Sequence, residues 1–156
     1  MLLVANILLG FNILLAVLMS GLILISNSKK RTNRTLVMFI LAVMLWTLSN
    51  LLANVFADIN KSLFFARTTL IGASLIPCTF YIFTKSFLNE NLSLRHLLIT
   101  GILPFAIIVT TPANLNIKSI EAYGFNSVPG FSYYVLLLEL IIYIGISLRK
   151  LYKRSR

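Results

Sequence analysis

Long apolar runs separated by short polar stretches form the main pattern of this chain. A helix rises about 1.5 Å per residue, so roughly 20 apolar residues cross the hydrocarbon of a bilayer. Five runs of suitable length and apolarity are predicted as spanning helices: Leu2–Ser26, Thr35–Ala57, Ser62–Leu88, Arg95–Thr111 and Phe131–Leu148. Strands are not expected, because the period-two alternation of a membrane barrel is absent. The pattern predicts an all-α integral membrane protein, a bundle of five transmembrane helices in a single domain.

The composition favours a membrane protein over a soluble one. Of the 156 residues, 58% are hydrophobic and only 12% are charged, whereas soluble domains carry about a quarter charged residues. The net charge of +10 raises nucleic-acid binding as a rival function. The charges fall in short clusters between apolar runs and form no basic face, so nucleic acid is excluded as a partner. The single cysteine, Cys78, lies inside an apolar run and is expected to be a packing residue.

The basic residues predict the direction in which each helix crosses. Three regions that alternate to one side hold eleven of the fourteen lysines and arginines. These eleven are Lys29, Lys30, Arg31, Arg34, Lys85, Arg95, Arg149, Lys150, Lys153, Arg154 and Arg156. The positive-inside rule places that side in the cytoplasm, so the N-terminus is expected outside and the C-terminus in the cytoplasm. The long connection 112–130 then faces outside, either as a cap over the bundle or as a solvated connector.

A polar stripe on the second helix is the first candidate for a binding site. Thr47, Asn50, Asn54 and Asp58 follow one another at spacings of three, four and four, which put them on one helical face. Polar groups that face lipid are costly, so we expect this stripe to face the bundle interior or a water-filled cavity.

Two charged residues inside the apolar runs are expected near that stripe. Arg67 lies about five residues below the outer end of the third helix, and Glu139 about eight residues below that of the fifth. They should therefore lie only a few ångströms apart in depth, and Tyr143 is spaced to hydrogen-bond to Glu139. The candidate ligand-binding residues are Asn50, Asn54, Asp58, Arg67, Glu139 and Tyr143.

Two interpretations of this predicted cluster stay open. It is either an outward-facing site for a small polar or charged ligand or an ion, or a structural Arg67–Glu139 or Arg67–Asp58 pair that joins helices. A further alternative is that Arg67 snorkels to the outer interface by itself. No Gly-rich phosphate loop, metal-ligand cluster or nucleophile–base pair occurs in the sequence. The lone histidine, His96, is expected to have a structural role at the membrane interface. We therefore expect the chain to be no enzyme, and to hold no cofactor and no catalytic or metal-binding residues.

Several short motifs occur in a fixed order along the chain. They are Asn33-Arg34, Leu45-Trp46, Arg67, Ile76-Pro77, the stretch from Phe80 to Phe87, Pro104, Thr110-Thr111-Pro112 and Pro129-Gly130-Phe131. With these residues the chain resembles the N-terminal seven-transmembrane sensor region of some bacterial histidine kinases and diguanylate cyclases. The resemblance implies a sensory input domain that passes a signal to a cytoplasmic transmitter. That family has seven helices and five are predicted here, so a fragment, a truncated product and a free-standing relative all stay open.

The leading functional prediction is a membrane-embedded sensory input module that detects an extracellular or intramembrane stimulus for a histidine-kinase-type protein. The alternatives are a small transport or channel subunit and a structural membrane partner protein. Transporters often contain repeated halves, which this sequence lacks. The expected partners are the lipid bilayer and, if the chain is a fragment, a cytoplasmic transmitter domain or kinase, with a small polar ligand and homodimer formation left open.

Overall fold

Five helices and one short hairpin make up the described part of the chain. The computed structural model describes residues 2–110, 117–120, 127–129 and 131–155. The helices are α1 (Leu2–Asn27), α2 (Arg31–Val55), α3 (Ile59–Phe87), α4 (Leu94–Thr110) and α5 (Phe131–Ser155). Strands β1 (Ile117–Ile120) and β2 (Ser127–Pro129) pair antiparallel between α4 and α5, with β1 beside α3. The five predicted helices are confirmed, whereas the hairpin departs from the expectation that no strands form.

In the described part of the chain, three helices have the length and composition needed to cross a membrane. These are Leu3–Asn27, Arg31–Val55 and Ile59–Phe87, and the apolar part of α4, Thr100–Val109, is shorter. A span by α4 or α5 therefore stays a prediction. The proposed cap formed by the connection 112–130 falls mainly outside the described residues, as does the side chain of His96.

The helix ends differ from the predicted ones in two informative places. α2 begins at Arg31, so Arg31 and Arg34 occupy its first turn, where cations oppose the helix dipole. α5 continues to Ser155, about two turns beyond the predicted end. Its last turns are held by contacts from Lys150 and Arg154 to the turn that follows α3.

Helices α2 and α3 pack antiparallel along their length. Phe56 stacks on Phe65 at one end, with ring centroids 5.2 Å apart, and Phe39 meets Phe80 at the other, 5.5 Å apart. The two backbones come closest at Gly72, where an added Cβ would lie 2.7 Å from the Cα of Trp46. The absence of a side chain at Gly72 therefore allows the two helices to pack closely.

Helices α4 and α5 pack on the other side of α3. Leu70 of α3, Ile107 of α4 and Leu136 of α5 form one buried apolar cluster. Further along both helices, Tyr81 of α3 contacts Tyr143 of α5 with ring centroids 5.7 Å apart. The order of these contacts shows that α5 runs parallel to α3.

A consequence of this packing is that three basic regions lie at one end of the bundle. The antiparallel α2–α3 pair brings the α1–α2 turn to the same end as the α3–α4 turn. The parallel α3–α5 pair brings the end of α5 there too. We call this the basic end.

The outward surface of α1 is apolar along almost its whole length. Leu3 is 73% exposed near one end and Ile25 is 85% exposed near the other, and most large apolar residues between them are exposed as well. A contiguous apolar surface of this extent is unfavourable in water and suited to lipid.

Candidate functional site

The six residues predicted to bind a ligand do not meet in one cluster. The structure places Asn54 between α1 and α2, Asn50 on α2 with a bond to its own helix, Asp58 at the start of α3, and Glu139 with Tyr143 in the α3–α5 interface. The expected convergence of the second, third and fifth helices on one polar site is therefore not observed among these residues.

The two asparagines of α2 have different environments. The amide nitrogen of Asn54 donates to the side-chain oxygen of Asn6 on α1 at 3.3 Å. The amide nitrogen of Asn50 donates at 3.0 Å to the carbonyl oxygen of Trp46 in its own helix. Asn54 thus joins two helices, whereas this bond of Asn50 stays within α2.

Asp58 lies beyond the end of α2 and caps α3. Phe56 is extended, with a ψ of 122°, which ends α2 before the stripe reaches Asp58. One carboxylate oxygen of Asp58 accepts hydrogen bonds from the backbone N–H groups of Asn60 at 2.8 Å and Lys61 at 3.4 Å. These bonds satisfy orphan donors at the helix start, which gives Asp58 a structural role.

Arg67 and Glu139 lie at different depths. Glu139 lies on α5 between Leu136, which packs on Leu70, and Tyr143, which contacts Tyr81, so its level on α3 lies beyond Arg67. No hydrogen bond joins Arg67 to Glu139, although Arg67 has an interaction of its own. The predicted Arg67–Glu139 pair is therefore not formed by hydrogen bonding.

Glu139 is a fully buried acidic residue without a hydrogen-bonding partner among the described residues. Its side chain has 0% exposure, and neither carboxyl oxygen has a hydrogen-bonding partner. Tyr143 does not bond to it as predicted, because its hydroxyl donates instead to the carbonyl oxygen of Thr100 on α4 at 3.4 Å. A charged carboxyl in this position would have to lose its hydration without a compensating bond.

We call the interface between α3 and α5 that contains Glu139 the α3–α5 seam. Other buried oxygen atoms without hydrogen-bonding partners lie further along it. The hydroxyls of Ser147 on α5 and of Thr84 on α3 are buried and lack a hydrogen-bonding partner among the described residues. An unpaired buried polar group costs about 1–3 kcal/mol. Hydroxyls can avoid that cost by turning toward a carbonyl of their own helix, whereas a buried glutamate has no such option.

The seam ends in a group of charged side chains at the basic end. Lys150 of α5 binds the carboxylate of Glu90, and Lys85 of α3 lies 3.8 Å from the same carboxylate. The ammonium groups of both lysines also lie 5.9 Å from the ring centroid of Tyr81. We call Lys85, Glu90 and Lys150 the basic-end junction.

The backbone of the α3–α4 turn places Glu90 in this junction. Asn89 adopts a left-handed conformation with a φ of 55°, which asparagine tolerates better than most residues. The N–H groups of Asn89 and Glu90 donate to the carbonyls of Ser86 and Lys85, the two bonds of a Schellman motif. Arg154 of α5 also donates to the carbonyl oxygen of Leu88, so the end of α5 is bound to this turn twice.

An apolar groove lies away from these polar residues. Its volume is about 250 Å³, and it is lined by α1 and α2. The lining residues are Asn12, Leu15, Ala16, Met19, Phe39, Ile40 and Val43. None of the six predicted ligand-binding residues lies in it.

Some polar residues of the seam, the junction and the α1–α2 contact are not among the candidates that the sequence suggests. Ser147 continues the four-residue spacing of Glu139 and Tyr143, so this polar face of α5 was visible as a periodic pattern. Asn6, Lys85 and Glu90 carry no local signal, since their roles depend on partners distant in sequence. Among the described residues, no group of three or more His, Cys, Asp or Glu side chains is placed to hold a metal ion.

Comparison with protein families identifies the class. The chain matches the N-terminal 7TM region of histidine kinase over residues 8–155, and it belongs to that family. The match is to the sensory membrane region and not to a kinase core. Comparison with curated proteins and with solved structures gives no match.

Proposed function

We propose that this chain is the membrane-embedded sensory input module of a histidine-kinase-type signal transduction protein. The observation that carries the proposal is the family match, which extends over nearly the whole chain, residues 8–155. The module detects an extracellular or intramembrane stimulus and passes the signal to a cytoplasmic kinase. The apolar outer surface of α1 and the long apolar helices α1 to α3 support a multi-pass location in the cell membrane.

In this proposal the basic end faces the cytoplasm and the N-terminus lies outside. Lys29 and Lys30 in the α1–α2 turn, Lys85 at the end of α3 and Lys150 in α5 support this orientation, since they lie at one end of the bundle. Lysines and arginines concentrate on the cytoplasmic side of membrane proteins. The signal would then reach the kinase from the cytoplasmic end of α5.

The basic-end junction supports a route by which the signal leaves the bundle. Lys150 and Arg154 bind α5 to the α3–α4 turn. A movement of α5 relative to α3 must therefore either carry this turn along or break the Lys150–Glu90 ion pair. A pair of packed helices with two such arrangements can be biased by any stimulus that binds the two arrangements differently.

Kinase activity in native membranes tests the proposal. Autophosphorylation is measured for the histidine kinase served by the module, whether it is joined to the α5 tail or associated with it. Removal of residues 1–156 should abolish the dependence of autophosphorylation on the stimulus while the kinase protein remains present. A kinase with the same rate and response in both membranes would overturn the proposed function.

Ion flux into liposomes tests the transport alternative separately. The purified chain should give no flux above that of protein-free liposomes. A saturable flux carried by the chain would assign it to the transport class.

A further inference from the structure

The α3–α5 seam contains several buried polar side chains, contributed by both helices. Its α5 face is formed by Glu139, Tyr143 and Ser147 at four-residue spacing, and all three side chains are buried. The facing part of α3 contributes the buried hydroxyl of Thr84 and the buried side chain of Lys85. The polar residues of this face therefore follow one another from Glu139 toward the basic-end junction.

The chemistry around Glu139 decides which ligand the seam would take. The titratable groups that face this part of the seam are Cys78, Tyr81 and Lys85 on α3 and Tyr143 and Lys150 on α5. The described side chains of α4 include no titratable group. Both lysines are directed to Glu90, so Glu139 receives no hydrogen bond from a cation.

A proton fits this environment better than a metal ion does. A metal cation in an oxygen site needs several oxygen ligands, and here the hydroxyl of Tyr143 is engaged with Thr100. A proton needs only the carboxyl itself, and the neutral acid loses far less hydration on burial than the carboxylate. Buried polar groups without protein partners are also the positions at which water molecules bind.

We propose that Glu139 is a proton-binding site, linked to the basic-end junction through the hydroxyls of Ser147 and Thr84 and bound water. The carboxylate of Glu139 takes up one proton and becomes a neutral acid, with no other bond made or broken. Proton uptake removes the unpaired negative charge of Glu139 and so allows α3 and α5 to pack more closely. This inference rests on the proposed function and deepens it, because a proton bound to Glu139 inside the bundle would be the intramembrane stimulus that the module reads.

Infrared difference spectroscopy of the purified chain in nanodiscs tests this assignment. The chain has only four acidic side chains, so the C=O stretch of a protonated carboxyl can be assigned by single substitutions. Between high and low pH, the wild type should gain a band that is lost in Glu139→Gln. Glu139→Asp should shift the band and its midpoint, which keeps the test valid if Glu139→Gln fails to fold. Asp58→Asn, at an exposed helix cap, is the matched control and should retain the band.

Two further measurements distinguish the proton from metal cations and test the proposed link between Glu139 and the basic-end junction. In D₂O, Glu90→Gln should slow the isotope shift of the Glu139 band several-fold relative to wild type. A band that responds to sodium or potassium at constant pH would assign a metal cation and overturn the proton proposal. Spectra in which no band depends on Glu139 at any pH would also overturn the proton proposal. The measurement needs no kinase, so these outcomes leave the proposed sensory function standing, whereas a kinase indifferent to the module would overturn that function alone.

Discussion

Lys150, near the end of α5, is ion-paired to Glu90 in the turn between α3 and α4. Lys85, from the last turn of α3, lies 3.8 Å from the same carboxylate. One acidic side chain thus joins α3, the α3–α4 turn and α5 at the end of the bundle where the basic residues gather. Any change in the packing of α5 on α3 must act on this ion pair.

The contact between Gly72 and Trp46 predicts a strong effect of a single methyl group. A Cβ at Gly72 would lie 2.7 Å from the backbone of Trp46, which cannot move away as a flexible side chain would. We expect Gly72→Ala to lower the free energy of unfolding by about 1–3 kcal/mol. Helix content during SDS titration, measured by circular dichroism, reports this change.

Gly101→Ala is the matched control for that substitution. Gly101 also lies inside a helix, but a Cβ added there would meet no atom of a neighbouring element within 4 Å. The added methyl group should therefore leave stability unchanged or slightly raised, since alanine has the higher helix propensity. Equal effects of Gly72→Ala and Gly101→Ala would contradict the close α2–α3 contact.

The Asn54–Asn6 hydrogen bond predicts an energetic coupling between α1 and α2. Asn6→Ala and Asn54→Ala should show a coupling energy of about 0.6 kcal/mol in a double-mutant cycle, the average for polar contacts between membrane helices. Asn50→Ala should be additive with Asn6→Ala, because the side chain of Asn50 bonds to its own helix. Additive effects of Asn6→Ala and Asn54→Ala in SDS unfolding would rule out the bond.

The cap formed by Asp58 predicts a difference between two substitutions. Asp58→Ala should destabilise the chain by about 1 kcal/mol, whereas Asp58→Asn should be close to wild type, because asparagine is an equally good N-cap. Hydrogen exchange at the backbone amides of Asn60 and Lys61, which the carboxylate binds, is the local measurement. Unchanged protection of these two amides in Asp58→Ala would show that Asp58 does not cap α3.

The proposed orientation predicts the labelling of single cysteines in intact cells. In a Cys78→Ser background, an impermeant maleimide should label Asn60→Cys from outside. Lys29→Cys, at the basic end, should react only after the membrane is permeabilised. Both native residues are exposed, so burial does not bias the comparison. The reverse pattern would place the basic end outside.

The helices were predictable from the sequence because long apolar runs specify them locally. The existence of all five follows from such runs, and the close approach at Gly72 follows from a small residue in an apolar helix. The β1–β2 hairpin was not predictable, because its two short strands are stabilised by pairing with each other across an intervening segment.

The candidate site was predicted less well, since depth was inferred from the distance to each helix end. That inference assumed that α3 and α5 begin at one level. Packing sets the register instead: Leu136 joins the cluster around Leu70, and Tyr143 meets Tyr81. This register places Glu139 beyond Arg67, at a level between Leu70 and Tyr81 of α3.

Charge exchange across the Lys150–Glu90 pair tests most directly whether the signal passes through the basic-end junction. Autophosphorylation of the kinase is measured in membranes that contain wild type, Glu90→Lys, Lys150→Glu or both substitutions together. A partly exposed ion pair contributes at most about 1 kcal/mol, so each single variant should change the stimulus-dependent rate by up to about fivefold. The double variant, which restores opposite charges, should recover the wild-type response. Four identical responses, or a double variant as impaired as the two single ones, would contradict a signal route through this junction.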